Sequence, residues 1–246
     1  MANQGSIMAP ERTSKPSGTP RTRTEKVHHA LRNAIIEQQL APGSRLPEDA
    51  IGDSFGTSRT IAREALGRLA VEGLVDLIPN RGAFVANPSL EDGRGIFTVR
   101  RALERAMVLE LAGKVDAAAA ARLREMVARE AALAARNDAE AIRLAGEFHL
   151  TLAQMTGNPL LLRYVTETVS RCSLVLAMYG RPHSADCGAR EHSAIVEALI
   201  AGKAEEAAAL MDQHLAEVAS RALLSSRAEK DIREVLSAYA REIDIG

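Results

Sequence analysis

The stretch from Thr57 to Leu74, TSRTIAREALGRLAVEGL, constrains the fold more than any other part of the chain. Apolar residues at Ile61, Ala65, Leu66 and Leu69 follow the spacing of a helix with one buried face. Arg59, Thr60 and Arg63 fall off that face, and the two arginines, one helical turn apart, point the same way. Thr57 or Ser58 can cap the start by accepting a bond from a free backbone N–H, and Gly73 suits a left-handed residue closing the end. Two arginines and a threonine at the exposed start of a short helix can bond the phosphates and guanine edges of DNA. The same arginine pair also fits an ordinary solvated face, so the neighbouring segments have to decide.

Those segments point to DNA. A first helix is expected from Thr24 to Leu40, with Val27, Leu31, Ile35 and Ile36 on one face, broken by Ala41-Pro42-Gly43. A second, Glu48 to Phe55, should bury Ile51 and Phe55, and Gly56 allows the tight turn that follows. In Leu74 to Ala86, two short apolar runs flank Pro79-Asn80-Arg81-Gly82, the pattern of a β-hairpin. The order helix, helix, turn, helix, hairpin is that of a winged helix-turn-helix, with the third helix for the major groove and Arg81 on the wing. Residues 1–20 have no apolar period and read as a disordered tail. Arg21, Arg23 and Lys26 suit either a basic lead-in to the phosphates or plain solvated charge.

Composition matters for the remainder. With 46% hydrophobic residues, 3% aromatic and no Trp, a core must be built mostly from Ala, Leu, Val and Ile, which favours helices. Seven helical spans are expected: Leu90–Lys114, Ala117–Arg136, Ala139–Thr156, Pro159–Tyr179, Ser184–Ala201, Ala204–Ser225 and Glu229–Glu242. The reading is therefore a mainly α protein: a winged helix-turn-helix over residues 21–88, then an all-helical antiparallel bundle of six or seven helices over 89–246. A net charge of −1 gives no overall basic signature. Cys172 and Cys187 form neither a disulfide framework nor a Cys-x-x-Cys motif. With no membrane-length apolar run and no leader-like start, a cytoplasmic protein is expected.

Four histidines fall in the second part. His149, His192 and His214 sit inside expected helices among apolar neighbours, and His183 follows a Gly-Arg-Pro loop that should leave it exposed. Neutral imidazoles converging from separate helices make a plausible divalent-metal site, each offering a nitrogen at about 2.0–2.1 Å. Their wide separation in sequence is no local metal motif, and three satisfied core or surface histidines fit the pattern as well.

The segment PGSRLPEDAIGDSFGTSRTIAREALGRLAVEGLVDLIPNRGAFV resembles the DNA-binding domain of GntR-family bacterial transcription regulators. The resemblance implies DNA contacts by Arg59, Thr60, Arg63, Arg81 and Gly82. Many members carry an arginine in the second helix where this chain has Asp49, so that contact is not carried over. FHLTLAQMTGNPLL, EHSAIVEALIAGKAEEAAALMDQHL and VRRALERAMVLELA are similar to segments of the FadR-type C-terminal ligand-binding domain, called FCD. Many such domains hold a divalent metal with three histidines and one acidic residue. The resemblance assigns the histidines to His149, His192 and His214, and the acidic position to Ala145.

Two readings follow: three histidines hold a Zn, Ni or Mn ion with extra positions open, or the site has abandoned metal and the histidines bond an effector directly. Glu147 should project away from His149 and is not a replacement ligand. Arg100 matches a family arginine that faces the effector pocket, although an i, i+4 surface pair with Glu104 would explain it equally. Cys172 is expected to be a small core residue. The implied function is a ligand-responsive repressor, binding a near-palindromic operator as a homodimer and sensing a small organic or sugar acid. Two other classes are weighed against it. One is a constitutive DNA-binding dimer; the other is a metal-dependent hydrolase, for which the sequence offers no evident general base beside the histidines.

Overall fold

The computed structural model describes residues 22–134, 139–179 and 186–223. The expected tail (1–20), His183 and the expected last helix (Glu229–Glu242) lie outside the described residues. Within them the order is α1 (Arg23–Ile36), α2 (Glu48–Phe55), α3 (Arg59–Val71), β1 (Val75–Ile78), β2 (Gly82–Val85), α4 (Leu90–Leu111), α5 (Ala117–Ala134), α6 (Ala139–Met155), α7 (Pro159–Tyr179), α8 (Asp186–Ile200) and α9 (Ala204–Leu223).

The first three helices and the hairpin form the expected winged helix. Val27, Leu31, Ile35 and Ile36 of α1 are buried against Ala62, Ala65, Leu66 and Leu69 of α3. A Thr22–Glu25 capping box starts α1, which stops earlier than expected: Gln38 turns left-handed at φ 62°, and the amides of Gln39 and Leu40 fold back onto the Ala34 carbonyl. The antiparallel wing pairs Val75 with Val85 and Ile78 with Gly82, and Leu46 N donates to Ala83 O, tying the α1–α2 loop to β2. Phe55, expected in the core, is 44% exposed. The close approach of α2 to α3 is made instead at Gly52, where a Cβ would lie 3.0 Å from the Thr57 carbonyl oxygen.

A Ser89–Asp92 capping box opens α4, while Asp116 and Asn158 cap α5 and α7 through side-chain oxygens on backbone amides. The six helices close on themselves in the order α4, α9, α8, α5, α6, α7 and back to α4. Their core is mostly aliphatic around Phe148, with Met107, Leu123, Phe148, Leu152, Ile195, Leu199, Met211 and Leu215 all but inaccessible. Among the described residues no helix is long and apolar enough to cross a membrane.

Helix α7 belongs to both parts. Leu174, 1% exposed, joins the apolar core of the winged helix, whereas Cys172 and Val175 sit in the bundle. Arg171 lies against Gly73, at the turn from α3 into β1 (φ +74°), where a Cβ would come within 2.5 Å of its Nε. Arg143 of α6 reaches Glu37 at the end of α1, 3.1 Å away.

Candidate functional site

The bundle brings His149 of α6, His192 of α8 and His214 of α9 together. One ring nitrogen of each lies within 4.8 Å of the others, and all three residues are buried. Each Nδ1 faces a carboxylate: His149 meets Glu104 of α4 in a very short contact, His192 meets Glu130 of α5 at 2.8 Å, and His214 meets Glu191 of α8 at 2.6 Å. An ionised carboxylate only accepts, so Nδ1 carries the proton and Nε2 keeps its lone pair. The Nε2 atoms of His192 and His214 then face each other at 3.3 Å as two acceptors with no proton between them. A shared cation resolves that opposition, and the donor set of three imidazoles oriented by outer carboxylates suits a divalent transition metal.

Burial pushes the His149 imidazole down to about 4, with Arg100 adding to the shift and Glu104 opposing it. Burial also holds His214 well below its usual range, reinforced by His192 and His149. Both rings are thus neutral near pH 7, as ligation requires. Burial alone would raise Glu104, but the Arg100 charge and the hydrogen bonds from His149 and Arg100 outweigh it and hold the carboxyl near 2.

Arg100 lies next to this centre rather than on the surface. Its side chain is 5% exposed, with Nε donating to Glu104 at 2.6 Å and Nη1 to the Cys172 sulfur at 3.1 Å. The i, i+4 pair with Glu104 exists, but it is buried. Burial works against the guanidinium charge, and Glu104 with Cys172 more than offsets this. Cys172 is the expected small core residue, 1% exposed. Ala145 offers no donor, and Glu147 bonds Arg143 at 2.6 Å, as its projection away from His149 required.

Sequence reasoning missed Glu130 and Glu191 and assigned Glu104 only to Arg100. The signal was present, because Arg100 and Glu104 fall in the same stripe of α4 as Met107, Val108 and Leu111. A charged pair on an apolar face needs buried partners. Glu191 precedes His192 in sequence yet serves His214, a pairing only the packing of α8 on α9 reveals.

The second candidate surface is the exposed start of α3. Ser58, not Thr57, caps it, its Oγ accepting from Ile61 N. Arg59, Thr60 and Arg63 are exposed, as expected. Both arginines meet acids of α2: Arg63 donates Nε and Nη2 to Glu48 at 2.8 and 2.7 Å, and Arg59 Nε lies 2.8 Å from Asp49. The hydrogen bond from Arg63 lowers the Glu48 carboxyl, its burial notwithstanding. On the wing, Arg81 rests over the Phe84 ring and Gly82 is exposed at φ +97°.

The fold thus defines a winged helix-turn-helix protein with an all-helical C-terminal bundle. Residues 23–85 match the family described as bacterial regulatory proteins, gntR family, and residues 95–217 match the FCD domain. The chain is 37% identical over 134 residues to an uncharacterized HTH-type transcriptional regulator of the TAR-I ttuE–ttuC′ intergenic region in Agrobacterium vitis, covering 53% of this chain and 78% of that one. It is 28% identical to the Uxu operon regulator of Haemophilus influenzae, covering 78% and 79% of the two. A GntR regulator structure from Rhodococcus sp. RHA1 superposes with a TM-score of 0.68 at 27% identity, over 83% of this chain and 99% of that one. This chain belongs to the GntR family, with an FCD domain: a bacterial DNA-binding transcription regulator and not an enzyme.

Proposed function

We propose that the chain is a metabolite-responsive repressor that binds a near-palindromic operator as a homodimer in the cytoplasm. It divides into a DNA-binding domain over 21–88 and a sensing and dimerising domain over 89–246. Arg59, Thr60, Arg63, Arg81 and Gly82 face the DNA. His149, His192 and His214 hold a divalent ion (Zn, Ni or Mn), and a small organic or sugar acid binds there under the positive field of Arg100. The observation that carries this reading is the set of three carboxylate–histidine pairs, two fully buried and the His214–Glu191 pair partly so, which leaves the other nitrogen of each ring free toward one centre. Such outer carboxylates orient a ligand ring and raise its basicity. They also bring negative charge to a site where Ala145 brings none. When bound, the cation supplies a Lewis-acid anchor for carboxylate and hydroxyl oxygens.

The test is the metal content of the full chain, stripped with chelator, reloaded with zinc, nickel or manganese, and dialysed. About one ion per chain is expected, with His149→Ala retaining none. A wild-type protein that retains no ion would sink the metal reading. In a gel shift with candidate acids, His192→Ala should keep operator binding and lose the ligand response; an unaltered dose–response curve would remove His192 from the site.

A further inference from the structure

We infer that Glu48 makes Arg63 a guanine reader, fixing its guanidinium so that one edge is presented to DNA and thereby setting base discrimination at that position. This rests on the reading of α3 as the recognition helix. A guanidinium is a rigid planar fork of five N–H donors, with two edges that can each make a pair of parallel bonds. Glu48 takes the edge formed by Nε and Nη2, at 2.8 and 2.7 Å. What remains is the Nη1–Nη2 end, facing away from the carboxylate on a side chain that is 69% exposed. That two-donor end matches the O6 and N7 acceptors of guanine in the major groove.

Glu48 itself is well placed to hold still. It is the first residue of α2, where the free backbone N–H groups favour a carboxylate, and its side chain is only 26% exposed. Arg59 provides the contrast. Its Nε lies 2.8 Å from Asp49, in a pair whose side chains are 64% and 63% exposed, and 4.0 Å from Glu48, with no two-bond grip on either acid. A guanidinium without a two-bond clamp suits phosphate neutralisation, which carries no sequence information. Arg63 has already given up rotamer freedom before DNA arrives, so less ordering remains for the binding step. Opposite a wrong base its two fixed donors cannot swing to other partners and stay unpaired, which is a penalty on that base.

The experiment selects operators from randomised DNA with the full-length wild type, Arg63→Ala and Glu48→Gln, and measures the salt dependence of binding. Arg63→Ala should lose the preference for one guanine in each half-site. Glu48→Gln should weaken the preference for that same guanine by about three- to fivefold, the upper range for an exposed ion pair. Other positions should keep their preferences, and the slope of log affinity against log salt should not change, because the phosphate contacts remain. Glu48→Gln with wild-type discrimination, or with a uniform loss across all sequences, overturns the inference. If instead Arg63→Ala keeps every base preference, the assignment of α3 as the reading helix fails.

Discussion

Two arginine–carboxylate pairs of nearly the same length sit in opposite surroundings. Arg100–Glu104 spans 2.6 Å with side chains 5% and 0% exposed, and Arg63–Glu48 spans 2.7 Å with side chains 69% and 26% exposed. Inside the bundle neither charge can turn to water, so the pair must be complete, with His149 and Cys172 taking the remaining valences. At the tip of α3 the pair need not be complete: Glu48 holds one edge of Arg63, and the other edge stays in water. Burial makes an ion pair part of the architecture, whereas exposure leaves it available for recognition.

The largest effect should follow Glu104→Ala. It strands a buried guanidinium and leaves the Nδ1–H of His149 without its acceptor, and the loss should be about 3–5 kcal/mol in urea unfolding. A loss under about 1 kcal/mol would mean the centre is wetter than its burial indicates and would break the comparison. Acid should produce a smaller, graded loss. The folded His149 has a pKa depressed to about 4 from 6.5, so the unfolded chain gains its proton first, and stability drains as pH falls through that window. Glu104, held near 2 against 4.5, extends the loss to lower pH with the same sign. Denaturant midpoints of the metal-free protein from pH 7.5 to 4 should decline, and His149→Phe should flatten the upper part of the curve. A flat wild-type profile would deny that the ring is held neutral by burial. The smallest effect on folding belongs to Arg63→Ala. Its urea midpoint should match the wild type while operator affinity falls about 10- to 100-fold.

The same contrast governs what could be read from the chain. Periodicity located every described helix, since each has an apolar stripe, and in the structure side-chain caps at Ser58, Ser89, Asp116 and Asn158 fix several of the starts. The order of elements gave the winged helix without further help. Spacing alone could not unite three histidines that lie on different helices; resemblance to a family nominated them, and the structure brings their rings together. The carboxylates behind them were hidden because Glu130 and Glu191 look like ordinary surface residues until the packing of α5 on α8 and of α8 on α9 is known. Phe55 misled for a related reason. Its spacing from Ile51 predicts burial, but a glycine-mediated approach of α2 to α3 leaves it outside. Arg59 and Arg63 were legible as exposed, but the acids that grip them come from another helix.

The division of α7 between the two parts bears on how the molecule comes undone. Leu174 completes the apolar interior of the winged helix from across the boundary, and Cys172, two residues earlier, leans on Arg100. A fragment ending at residue 88 would therefore carry an unfilled hollow where Leu174 belongs. Separating head from bundle amounts to a large-to-small substitution in the head's interior and leaves Leu174 of the bundle in water, and such hollows weaken a domain by about 2–5 kcal/mol. Head and bundle should accordingly melt in one concerted transition, and the head can swing only by carrying α7 with it.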